Sequence, residues 1–285
     1  MKKVFPVSLI IMIAFTSCTT YRYIYSASPA NDPYFNKKGE SKLTGYYSSS
    51  GDNNLLGEFA GGFDMHGAYA IENHWALTVG YFNRREKDVF NYYHSDSPFD
   101  SSIVKYKRNL FDIGAGYFVA LNQNKTITFN LYGGFSSGKF SLEDDGVDHN
   151  DSNYNRYHDS KINKWFLQPS FNFMPGHHVR FSFGLKVSFV HYGNIHTSYT
   201  AEELHYFALD RIPNKTIPYA ESFFNLQFGF PKYPWVKLDM ELSGASQPLY
   251  NNPNNLNDNS ERLRTRGSNA SIGLNFDFSK IRKKK

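Results

Sequence analysis

The sequence predicts an all-β chain, an antiparallel up-and-down β-barrel of transmembrane type with about ten strands. Three observations lead there. Segment after segment alternates at period two between large apolar residues and small, polar or charged ones, the periodicity of a strand with two unlike faces. The 285 residues include 26 Phe, 21 Tyr and 21 Gly but no apolar run of helix-spanning length, a composition that favours strands. Finally, the connections alternate in length, short then long, along the whole chain.

The N-terminus stands apart from this pattern. Lys2 and Lys3 precede an apolar run from Val4 to Phe15, too short to span a bilayer, so residues 1–17 read as a secretory signal. Cys18 follows directly and is the sole cysteine. It has no disulfide partner, and an exported lone thiol calls for another use. The string Phe15-Thr16-Ser17-Cys18 resembles the lipobox of bacterial lipoproteins, although Phe stands where Leu is usual. That resemblance implies cleavage before Cys18 and a covalent lipid on it. Thr19 and Thr20 do not look like an inner-membrane retention signal. Residues 18–39 then read as a lipidated linker, 40–279 as the barrel and 280–285 as a basic tail.

Strands are expected to start near Glu40, Leu56, His74, Asn109, Lys125, Lys161, His178, Thr216, Pro234 and Arg266. The clearest runs from His178 to Val190, with Val179, Phe181, Phe183, Leu185, Val187 and Phe189 opposite Arg180, Ser182, Gly184, Lys186 and Ser188. Val236 to Ser243 and Asn269 to Phe278 repeat the pattern, as does Phe111 to Leu121. Short connections fall near Glu72-Asn73-His74, Asn122-Gln123-Asn124, Pro175-Gly176-His177 and Lys232-Tyr233-Pro234, each with the Gly, Pro or Asn of a tight turn. Long ones cover about 83–108, 143–162, 194–217 and 246–267. A shorter one, 49–54, joins the first pair.

Either face of such a sheet could be the buried one. A soluble barrel turns its apolar face inward, whereas a membrane barrel faces lipid with it. Large aromatic side chains crowd the apolar face of nearly every segment, and a small closed core would need size alternation instead. Tight turns at one end and long polar loops at the other match the periplasmic and exterior ends of an outer-membrane barrel. An even strand count places both termini on the short-turn side, with a Cys18 lipid in the inner leaflet. Trp75 and Trp235 beside short turns suit an aromatic belt.

The stretch from Gly67 to Leu77, GAYAIENHWAL, resembles the strand, tight turn and strand of small outer-membrane proteins and outer-membrane β-barrel lipoproteins of Gram-negative bacteria. The likeness extends over residues 40–279 as a pattern. It implies an outer-membrane location, with membrane lipid and the Cys18 lipid as partners. The chain departs from it after Phe278, since such barrels often end on an aromatic residue and Ser279–Lys285 follow here.

For function, the charge balance excludes one class. Seven basic residues lie at the two ends, and taking them from the formal +5 leaves −2 for the body, so no nucleic-acid partner is expected. Asp64, Asp112, Arg180, Lys186, Lys237, Asp239, Glu241 and Asp277 share the non-apolar face and are expected to form a charge network in the lumen, paired across strands. A filled interior is the expectation for so few strands, with a small-solute pore as the alternative. Asp148, Asn150, Ser152, Tyr154 and Asp159 follow an EF-hand-like count without its Gly and Glu. His94, His149, His158, His196 and His205 fall in long loops, where His and Asp could form a hydrolytic rim site of protease or lipid A-modifying type. No nucleophile elbow, zinc spacing, phosphate loop or cofactor fingerprint occurs. The sequence therefore favours a non-catalytic surface or envelope role for the Tyr- and Asn-rich loops, and indicates no particular extracellular partner. A soluble barrel held in the periplasm by its lipid is the remaining alternative.

Overall fold

The computed structural model describes residues 22–51, 59–91, 99–148, 150–176, 178–247 and 263–283. Ten strands close into an antiparallel barrel: β2 (Ser41–Gly51), β3 (Phe59–Ala70), β4 (Trp75–Asn91), β5 (Phe99–Ala120), β6 (Ile127–Asp148), β7 (Asn153–Phe173), β8 (Val179–Thr197), β9 (Thr216–Phe230), β10 (Tyr233–Ser246) and β12 (Ser268–Asp277). Each pairs with its chain neighbour, and β12 closes the ring between β10 and β2. Closure leaves the barrel, among the described residues, without an edge strand. Two further strands, β1 (Tyr23–Ser26) and β11 (Arg264–Arg266), pair in parallel as a separate two-stranded sheet.

The apolar face points outward. Trp165, Leu242, Phe111 and Tyr47 are each more than half exposed, and Phe63, Val79, Ile113, Leu167, Phe183, Phe224 and Ile272 share that face. Its upper edge is sharp. Along the ascending strands the outward face steps from a large apolar residue to a polar one two positions on: Tyr47 to Ser49, Tyr81 to Asn83, Phe135 to Ser137, Phe189 to His191. On the descending strands the same step separates Asn109 from Phe111, Asn163 from Trp165 and Ser222 from Phe224. Strand register levels these residues, with Asn83 opposite Asn109, and Asn163 opposite both Ser137 and His191. From Trp165 to Phe173 the band takes about 27 Å of strand, or roughly 20 Å of height at the tilt of such barrels. Trp75 sits exposed at the lower edge against Tyr117, while Trp235 is half-buried beside Phe276.

The strands run further than alternation of the apolar face alone predicts. β4 and β5 remain paired up to Asn91 and Ser101, and β6 and β7 from Phe173 up to Asn153, so much of the expected 83–108 and 143–162 loops is β-ribbon. The reason is that the outward face turns polar above the band without breaking the ladder: Lys105 meets Asp145 at 2.9 Å and Lys107 meets Glu143 at 2.8 Å across strands. The connection from β8 to β9 folds over this end. Thr200 and Glu203 cap α1 (Ala201–Tyr206) reciprocally, and Phe207, Leu209 and Ile212 are buried behind it. Among the described residues, no helix is long and apolar enough to cross a membrane.

The described residues at the two ends of the chain lie at opposite ends of the barrel. Phe278–Lys283 forms a 3-10 turn at the short-turn end, but Arg22 lies at the opposite end, among the ribbons. The residues expected to form a tether after the signal, from Arg22 on, run down the inside of the barrel before entering β2.

Candidate functional site

The site is the lumen and the strap, residues 22–36, that fills it. Successive strap residues touch successively lower levels of the wall. At the top, Arg22 donates to Asp144 at 2.5 Å and to Ser102, with its guanidinium 3.9 Å from the centre of the Phe207 ring. Tyr25 donates to Glu221 at 2.8 Å and stacks on Tyr219 at 3.9 Å, and Ser26 donates to Glu86 at 2.6 Å. Lower down, Ser28 accepts from Lys186 at 2.8 Å and the Ala30 amide donates to Glu241 at 2.8 Å. Asp32 accepts from Asn130 at 2.9 Å and Ser170 at 2.6 Å. At the bottom Tyr34 donates to the Lys125 carbonyl, and Phe35 packs on Phe118. Ile24 and Ala27 are wholly buried.

The wall is shaped to receive this. Small residues face inward where rings need room: a Cβ on Gly116 would stand 2.2 Å from the Tyr132 ring. Above the band, Arg84 pairs with Asp64 at 3.1 Å, and Glu86 bridges Arg108 and Arg266, whose other branch reaches Asp88. These groups are fully enclosed, so each needs a partner to offset its lost hydration. Burial pushes the Glu86 carboxyl up, but Arg108 and Arg266 outweigh it and hold the group below the usual carboxylate range.

All eight residues expected in the lumen network lie on the inward face, seven of them buried. The structure does not bring them together as one network. Asp64 accepts from Ser48 and Arg84. Lys186 meets Glu221 at 3.3 Å, and Asp277 meets Lys42 at 3.2 Å. Asp239 accepts from Asn225 and Gln227, while Glu241 takes the Ala30 amide. Arg180 donates to the Asp32 carbonyl at 3.0 Å and to Asn225. Asp112 is half-buried, with one enclosed oxygen lacking a protein partner, and Lys237 has no ion pair or hydrogen bond among the described residues. Sequence reasoning missed Arg22, Lys42, Arg84, Glu86, Asp88, Arg108, Asp144, Lys164, Glu221 and Arg266. Most share the inward parity of their strands, a signal that extends into the ribbons. Arg22, in the strap, has no such signal.

The other candidate chemistries do not assemble. Asn153 to Asp159 belong to β7, where alternate side chains diverge, so the EF-hand-like set cannot wrap an ion. Among the described residues no group of three or more His, Cys, Asp or Glu converges as metal ligands. His94 and His149 lie outside the described residues. His196 is an exposed strand residue, and His205 pairs with Asp210 at 2.9 Å on the exposed cap. His158 is enclosed instead of loop-borne, with neither ring nitrogen hydrogen-bonded, and burial lowers its pKa to about 4.

No family model matches the chain, and no curated protein does. Among solved structures, the outer membrane protease OmpT from Escherichia coli is similar at 10% identity over 84% of this chain and 94% of that one, with a TM-score of 0.39. The NanC porin is similar at 10% identity over 83% and 98%, with a TM-score of 0.36. Outer membrane protein OprG from Pseudomonas aeruginosa gives 12%, 85% and 97%, with a TM-score of 0.33. Likenesses of this degree say nothing about activity.

Proposed function

We propose that the chain is a self-plugged outer-membrane barrel of Gram-negative type, anchored further by a lipid on Cys18, that presents its long ribbons as a non-catalytic surface. The observation that carries this is the strap. Its contacts run from Asp144 above the apolar band to Lys125 at the short-turn end, so the lumen is occupied along its length. The outward apolar band supports embedding in lipid over a soluble barrel. A small-solute pore would need the space the strap fills.

Cys18 precedes Arg22 by four residues, a reach of about 14 Å at full extension. The position of Arg22 supports an anchor on the ribbon side, the exterior side of such barrels, over the inner leaflet, Cys18 itself lying outside the described residues. The test is planar-bilayer recording of the full chain beside a variant lacking residues 22–36. The full chain is expected to be electrically silent and the variant to conduct. Conductance by the full chain equal to the variant's contradicts the plugged reading.

A further inference from the structure

The short-turn mouth of the barrel contains a cavity of about 440 Å³, bordered by Tyr34, Lys42, His178, Lys237, Asp277 and Lys280. Its charges do not balance. Lys42 and Lys280 share a single carboxylate, Asp277, at 3.2 and 3.8 Å. The other acid on the border, Glu40, already accepts the Asn36 amide at 2.8 Å. Lys237 is left over. It is 5% exposed, its cross-strand neighbours are Gly229 and Asn275, neither of them acidic, and no described residue forms an ion pair or hydrogen bond with it. Arg180, just above, is held by uncharged oxygens of Asp32 and Asn225, so it adds no compensating acid. An amine enclosed without an anion is costly to charge, and an anion entering the cavity would supply the partner that holds its proton.

We propose that this mouth is a binding site for a phosphate diester, with Lys237 as its principal ligand. With all three lysines protonated against two carboxylates the border carries one positive charge, which one diester phosphate neutralises. The cavity exceeds a bare phosphate and has room for the small groups esterified to it. Lysine suits the task as a mobile point charge directed at phosphate oxygens. The C-terminal 3-10 turn delivers Lys280 to the rim, which gives the overhang after Phe278 a use. The diester can come from a phospholipid headgroup at the membrane surface or from a soluble glycerophosphodiester. The inference is independent of the strap's role in conductance and of lipidation.

Thermal unfolding of the full chain in a phosphate-free maltoside micelle, titrated with glycerophosphocholine against sodium chloride at equal ionic strength, tests the site. Saturable stabilisation by the diester alone is expected. Lys237→Met keeps the side chain's shape and removes an unpartnered charge, so it is expected to fold and to bind at least about tenfold more weakly. Lys280→Gln, at the open rim, is expected to weaken binding several-fold while Lys42 keeps Asp277 paired. Native mass spectrometry of the same samples separates the sources. Phospholipid retained by the wild type and lost in Lys237→Met supports a headgroup, while titratable glycerophosphocholine binding without retained lipid supports the soluble diester. A wild type that neither retains lipid nor responds to the diester overturns the proposal, as does Lys237→Met binding with wild-type affinity.

Discussion

Glu86 shows how single residues hold this interior together. It accepts from Ser26 on the strap and bridges two guanidinia from β5 and β11, so one carboxylate ties three parts of the fold. Glu86→Gln strips both Arg108 and Arg266 of that charge, and a loss of about 3–5 kcal/mol is expected in denaturant unfolding from micelles. Because the folded carboxyl titrates below its usual range, its contribution is present at neutral pH and disappears as acid protonates it. His158 acts with the same sign by a different cause. Folding keeps the imidazole neutral down to about pH 4, whereas the unfolded chain takes up a proton below its ordinary value of 6.5. Stability therefore rises with pH between about 4 and 6.5 and levels off above, by up to about 3 kcal/mol. Unfolding of His158→Phe at pH 4.5 and 7.5 checks this, since the variant is expected to have lost that part of the pH dependence.

At the level of elements, the strap is what alternation could not reveal. Its sequence from Ser26 to Pro33, SASPANDP, carries no period, because each residue answers to whichever wall strand stands opposite. Its partners on the wall lie 36 to 211 positions away in sequence. The ribbons were partly legible. Arg84, Glu86 and Asp88 keep the inward parity of β4, but the outward Arg85 and Lys87 erase the apolar signal by which strands are recognised. Arg22→Met is expected to free the top of the strap from Asp144 and to produce intermittent conductance in planar bilayers, with a wall that still resists unfolding. Persistent silence of this variant together with the strap deletion would remove the strap's sealing role.

For the whole molecule, closure, strand number and the direction of each face were readable from period-two alternation, since a strand's faces are set locally. Which interior charges meet was not readable, because pairing depends on register between strands and on a segment that crosses the lumen. Lys237 and Lys186 share parity and charge, yet Lys186 is partnered and Lys237 is not. The barrel stands on one arrangement, the apolar side of the sheet turned toward lipid. It is tested by fluorescence of Trp165, 63% exposed in the outward band, as the only tryptophan in a Trp75→Phe, Trp235→Phe variant reconstituted with lipids brominated along the acyl chain. Strong quenching by the brominated chains is the predicted result. Fluorescence unchanged by them, with the protein recovered folded, would contradict the lipid-facing barrel.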